Sequence, residues 1–420
     1  MDEIIRNQMP QGELAELPER RYLATTAPPR NSPRMQSQLA RITSVAASLF
    51  ELQVGNSRRL LPMEGMRGLS AFLVFFVHFN GLLGSRAEQT PLRGMFHFLG
   101  TIGHCGVDVF FALSGYIIYG LLLEKRVGYF RFVWRRICRL YPTFTAIFLL
   151  YAVLSVVLPT YSKLPDSPIS AALYLAANFL MLPGIFPIVP MITVAWSLSY
   201  ELCFYLTLPL LMRWLKIFAW PRFGRVTFFL VLCATCLALS SAGLFEHSRL
   251  IMFGCGIVAR ETTHLRVKWG RFGDFAALIA FVVSLALVGV VGEPILREYC
   301  GPFITTSKLI AVCLFVSTWA LGYVALAGCG PVSQWFSWRW LRWFGNISYS
   351  YYLTHGIVLH VVKQFAEFLK VPARLSPLGF VALGLISFAA TVVGSSILFL
   401  LIEKRFSFPA VERSRPSRAA

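Results

Sequence analysis

The stretch MRGLSAFLVFFVHFN, Met66–Asn80, decides how the rest of the chain is read. Ten mostly apolar residues separate Arg67 from His78, the make-up of a helix that crosses a lipid bilayer. A histidine deep in such a segment needs a reason. Ionisable groups at membrane depth are costly and are functional candidates by default.

The whole chain shares this character. Of its 420 residues 56% are hydrophobic and only 14% charged, which is not the make-up of an ordinary soluble protein. Apolar stretches of roughly 17 to 25 residues recur between short polar loops. Backbone groups in lipid must be satisfied internally, and the alternating strands of a barrel are not seen, so these stretches are helices. The predicted fold is all-α: a polytopic integral membrane protein with about ten transmembrane helices and one re-entrant or interfacial helix. The spans are 68–84, 105–123, 142–159, 194–212, 226–244, 248–260, 274–292, 308–327, 345–366 and 379–402. The run over 171–189 is the eleventh. Counting it as a full crossing would send RWLKIFAWPRFGR outside and invert every later basic loop, so it is read as re-entrant or lying on the outer surface.

That choice keeps Arg135, Arg136, Arg139, Arg213, Lys216, Arg222, Arg225, Arg260, Arg266, Lys268, Arg271, Arg339, Arg342, Lys404 and Arg405 on the cytoplasmic side, with both termini inside. Residues 1–60 read as a disordered cytoplasmic tail without a cleavable signal peptide, inside which 35–54 has the apolar spacing of a surface helix. Residues 61–403 form the membrane domain and 404–420 a short basic cytoplasmic tail. The net charge of +19 sits in short runs at the ends of apolar segments, which fits membrane orientation and excludes a nucleic-acid groove. The nine cysteines make no disulfide framework, a Cys105–Cys300 bridge being the one pairing left open, and no metal site is predicted.

The chemistry-bearing residues can be ordered by depth. Arg67 stands at the inner mouth of the first span, and His78 lies about 16 Å further along at 1.5 Å per residue, beyond the midplane. An imidazole there can take a proton from a hydroxyl near neutral pH. In GHCGVDVFFALSGYIIYG and VAWSLSYELCFYL, Asp108 and Glu201 fall near the level of His78, where either carboxylate would orient it and stabilise its imidazolium. Structural pairing with an intramembrane partner is the alternative for both. YFRFVWRRICRLYP sets Arg135, Arg136 and Arg139 at the depth of Arg67, with Arg135 and Arg139 on one helical face, as several phosphates would need. Trp196, Tyr349 and His355, from the fourth and ninth spans, are the candidate substrate contacts, with interhelical hydrogen bonding as the alternative for the last two.

Taken in order, R-x10-H at Arg67 and His78, GVDVFFALSGYII, RRICRLYP, WSLSYELCFYL and GNISYSYYLTH resemble the acyltransferase type 3 family of bacterial integral membrane proteins. Members O-acylate surface glycans and some lipids and secondary metabolites. The resemblance implies transfer from a cytoplasmic acyl-CoA, acetyl-CoA in first place, to a hydroxyl of a cell-surface or secreted glycan, in the bacterial inner membrane and alongside polysaccharide-synthesis partners. It implies that Arg67 and His78 are essential, with Arg67, Arg135, Arg136 and Arg139 on the CoA phosphates. The family's closing E-x-P reads IEKRFSFP here, which leaves the role of Glu403 open. Two other readings compete: a transporter or flippase of a lipid-linked anionic sugar, against which no inverted repeat is found, and a non-catalytic membrane partner.

Overall fold

The computed structural model describes residues 44–51, 60–87, 90–125, 127–245, 247–265, 267, 269–291, 306–327 and 330–407. The chain divides into Met1–Leu49 and Phe50–Ala420. Of the first unit only 44–49 is described, and it is helical. Most of the predicted tail, the rest of its surface helix, Cys300 and the last thirteen residues lie outside the described residues.

Among the described residues the second unit is built of helices and the loops that join them. Its helices are α1 (Leu61–Leu83), α2 (Leu92–Gly103), α3 (Cys105–Glu124), α4 (Tyr129–Val157), α5 (Pro168–Phe179), α6 (Trp196–Trp214), α7 (Arg222–Ser241) and α8 (Ile251–Thr263). They continue as α9 (Gly270–Val291), α10 (Thr306–Ala327), α11 (Pro331–Phe336), α12 (Arg339–Asn346), α13 (Ser348–Phe368) and α14 (Pro377–Leu398). A π-helical turn over Phe399–Ser407 extends the last.

Eight helical segments among the described residues are long and apolar enough to cross a membrane, so the protein is an all-α polytopic membrane protein. The difference from ten has two physical sources. At 248–260 the helix α8 has only 13 residues and is buried on nearly all its faces, so other helices surround it in place of lipid. At 345–366 the helix α13 has the length to span, at 21 residues, but its first half is Ser348, Ser350, Thr354 and His355, all buried. Polarity there serves the interior. The 171–189 run forms α5, whose 12 residues extend about 18 Å at 1.5 Å per residue, short of a bilayer's thickness. From Leu180 to Ile192 the chain continues without a long helix.

Glycine lets the helices meet at backbone distance, as packing in lipid favours. A Cβ on Gly65, Gly68 or Gly345 would collide with the carbonyl oxygen of Phe336, Leu341 or Glu64, which joins α1 to α11 and α12. Gly115 meets the Phe253 carbonyl and Gly256 the Ala112 carbonyl, locking α3 on α8. Phe253 then stacks on Phe111 at 4.6 Å and on Phe204 at 4.2 Å, which ties α6 into the same core.

Two further glycines set a register. Gly103 lies against Leu73 and Val77, and Gly106 against Ser70, Leu73 and Val74. The two helices are therefore antiparallel, with Ser114 at the level of Arg67 and His78 level with the corner between α2 and α3.

Replacing Gly256 by Leu is expected to destabilise the protein by about 3 kcal/mol. Gly81, whose Cβ position meets nothing within 4 Å, should accept Ala within about 1 kcal/mol. Unfolding midpoints in detergent measure both.

Candidate active site

A cavity of about 130 Å³ opens among α1, α3, α4, α6 and α13. Its polar wall is Arg67, Ser114, Arg136, Arg139, Ser197, Glu201, Tyr205, Ser348, Tyr349 and Tyr352. Apolar side chains of α3, among them Val107, Phe110, Phe111 and Ile118, complete it.

Three guanidinium groups gather at one end. Arg67 donates its Nε–H to the Ser348 hydroxyl at 3.2 Å. Arg136 lies over the rings of Phe132 and Tyr205, at 5.5 and 5.9 Å, a cation–π arrangement. Arg139 pairs with Glu403 at 3.1 Å. Glu403 is fully buried in the π-helical turn and also accepts from the Ser350 amide at 3.1 Å and the Ser350 hydroxyl at 2.6 Å. Arg135, by contrast, is exposed and does not line the cavity. The facing pair on α4 is thus Arg136 and Arg139, three residues apart, because α4 turns Arg135 outward.

Glu201 lies at this same end. Its Oε1 accepts from the Ser114 hydroxyl at 2.8 Å and from the Tyr205 hydroxyl. Ser114 registers with Arg67, so Glu201 sits well below His78 rather than level with it. The expected level differs because it was counted from the start of the apolar run, whereas the level of Glu201 is set by the packing of α6 on α3 at Ser114. Asp108 is deeper than expected because α2 precedes α3 and moves its start inward.

Asp108 is buried, and both its carboxylate oxygens are taken by Arg249, at 3.0 and 2.9 Å. Arg249 also donates to the His104 carbonyl at 3.0 Å and lies over the Trp196 ring at 5.3 Å. Trp196 therefore backs this pair and is not part of the cavity wall. Tyr349 does line the cavity, but its hydroxyl donates to the Leu140 carbonyl at 2.8 Å.

His78 stands beyond the cavity, half-buried. Eleven residues advance a helix by just over three full turns, so Arg67 and His78 project from one face of α1. On α13, Ser348, Tyr352 and His355 repeat that line. Ser348 meets Arg67, and the His355 ring meets the His78 ring at a centroid distance of 4.7 Å. The two helices are thus parallel. Tyr352, a cavity residue, has its ring 6.1 Å from His355, so the histidine pair begins where the cavity wall ends.

A cationic mouth, a lined channel and a paired imidazole can together hold an anionic donor and take a proton at the far end. Comparison with known proteins bears on which reaction this is. The family described as "Acyltransferase domain" matches residues 62–400. The chain belongs to the acyltransferase type 3 family. It is similar to the exopolysaccharide production protein ExoZ of Rhizobium meliloti, 25% identical over 334 residues, covering 76% of this chain and 92% of that one. It is also similar to the O-acetyltransferase OatA of Staphylococcus aureus, at 26% over 350 residues and 74% of this chain but 52% of OatA, about half its length. The acyltransferase MdmB of Streptomyces mycarofaciens is 33% identical over 161 residues, 37% of this chain and 40% of that one. No solved structure matches. The protein is an acyltransferase, which favours the first reading over the competing transporter and non-catalytic ones.

Several residues of this acyltransferase's site escape a reading by sequence alone. Ser114 and Tyr205 look like packing residues, although Tyr205 lies one helical turn from Glu201 and so on its face. Arg249 did carry a signal: it is an arginine at the start of a span that the charge rule puts on the outer side. Among the described residues no group of three or more His, Cys, Asp or Glu side chains is placed to hold a metal ion.

Arg249→Ala strands the buried Asp108 charge, and a cost of about 3–5 kcal/mol is expected. Pairing it with Asp108→Leu should recover part of that loss. Denaturant unfolding of the two variants in detergent tests this.

Proposed function

We propose that this acyltransferase moves an acyl group, acetyl in first place, from a cytoplasmic acyl-CoA to a hydroxyl of a cell-surface or secreted glycan. The observation that carries the reading is the single face of α1 that presents Arg67 to the cavity and His78, three turns on, to its far end. The names of the relatives add support: one is an exopolysaccharide production protein and another an O-acetyltransferase. In this reading the arginine end of the cavity faces the cytoplasm, both termini lie there, and the membrane is the bacterial inner membrane.

The chemistry follows from the residues. Arg67, Arg136 and Arg139 offer guanidinium forks to the phosphates of CoA, which they bind better than lysines would because each fork can donate twice. The Glu403 carboxylate holds Arg139 in place. The acyl-pantetheine arm extends along α3 and α13 past Glu201 and Tyr352. His78 takes the proton of the acceptor hydroxyl as its oxygen attacks the thioester carbonyl. The new C–O bond forms, the C–S bond breaks, and the CoA thiolate leaves with the proton returned by His78. Asp108, committed to Arg249, keeps α3 and the start of α8 in register around this path. Trp196 supports the same pair. Glu201, hydrogen-bonded to Ser114 and Tyr205, gives the channel one negative group among three positive ones and so limits how tightly the anionic product is held.

Protein reconstituted in vesicles with labelled acetyl-CoA and a polysaccharide acceptor tests the proposal. His78→Ala is expected to lower transfer by about a hundredfold or more at unchanged thermal stability. Arg67→Ala should raise the KM for the donor. Undiminished transfer by His78→Ala would overturn the assignment of the base.

A further inference from the structure

His355 is buried completely, and its ring is fixed twice by one residue. The Tyr351 ring stacks on it at 5.3 Å with 4° between the planes, and the Tyr351 carbonyl lies 2.9 Å from His355 Nδ1. Thr391 in turn donates its hydroxyl hydrogen to the Tyr351 hydroxyl at 3.3 Å. A carbonyl oxygen has no hydrogen to give, so Nδ1 must carry one and donate it. In the neutral ring that leaves Nε2 as a lone-pair acceptor. Nε2 is buried without a hydrogen-bond partner, and a buried acceptor left unpaired is costly. Such a cost at a rigid, enclosed position points to a partner that arrives during turnover.

The ring beside it is that of His78, at 4.7 Å and 65°. Two imidazoles joined by an N–H···N bond of about 2.9 Å have centroids about 5 Å apart, so a small rotation of the half-buried His78 ring closes the bond. Among the described residues the three carboxylates around the cavity are engaged elsewhere. Asp108 is committed to Arg249, Glu201 to Ser114 and Tyr205, and Glu403 to Arg139 and Ser350.

We propose that His355 is the positioning residue for His78: its Nε2 accepts the N–H of the His78 ring, which leaves the other nitrogen of His78 as the lone pair that meets the acceptor hydroxyl. The inference rests on His78 being the base. Once His78 has taken the proton, the same bond stabilises its imidazolium, the part that a carboxylate plays elsewhere. The proton returns to the leaving thiolate, and His355 ends each turnover in the tautomer in which it began.

The isosteres of the two ring nitrogens separate this role from a structural one. In His355→Asn the amide can still donate to the Tyr351 carbonyl but reaches no further. In His355→Gln the amide oxygen extends to where Nε2 stands. With the reconstituted protein, His355→Asn is expected to lower kcat about a hundredfold with donor KM within about twofold, and His355→Gln to keep at least about a tenth of the original kcat. Equal kcat for the two variants, whether both are active or both inactive, would overturn the proposal. Should the Asn variant not be recovered folded, His355→Ala with imidazole added decides: restored turnover supports the proposal and none overturns it. His78→Ala measured in parallel distinguishes the two failures, because full activity there rejects the base itself.

Discussion

At Gly65, Gly68, Gly103, Gly106 and Gly345, α1 lies so close to its neighbours that a methyl group has no room. This contact between backbones governs the site, since α1 carries both Arg67 and His78. In lipid there is little hydrophobic force to draw helices together, so fit and hydrogen bonding must do so. With α12 against its first turns and α3 against its middle, α1 can neither slide nor rotate. Arg67 then has to face the cavity, and His78 has to face α13.

Charge inside the bundle obeys a second constraint. A carboxylate in a low-dielectric interior needs a partner, and two of the three near the cavity have an arginine: Asp108 with Arg249, Glu403 with Arg139. Glu201 is met by hydroxyl groups instead. The acidic side chains thus hold arginines or hydroxyls in place, and the end of the channel is left to imidazoles, which can be buried neutral. Division of labour follows from what each group costs to bury.

Much of this was legible in the sequence, and what was not has identifiable causes. Apolar length and basic loops located the membrane body, and R-x10-H located the two poles of the site. The ten expected spans exceed the eight that length and apolarity single out at α8 and α13, because a helix enclosed by other helices needs neither the length nor the apolarity that lipid demands. Depth differed at Asp108 and Glu201 because it was counted from the ends of apolar runs, whereas α2 moves the start of α3 inward and the packing of α6 on α3 at Ser114 sets the level of Glu201. Spacing alone put Arg135 on one face with Arg139, but three and four are both periods of a helix, and in the structure it is Arg136 that faces the cavity with Arg139. The link from Arg139 to Glu403 joins residues 264 positions apart, and no local pattern reports such a contact.

That last distance has a consequence for how the enzyme comes into being. The chain supplies Arg67 early and Glu403 almost at the end of the membrane body, with the arginine end of the cavity unfinished until the π-helical turn has docked against α4. A chain without its last helix therefore lacks the Glu403 carboxylate that pairs with Arg139. The arginine end of the cavity is the part of the site that the chain completes last, when the π-helical turn reaches α4.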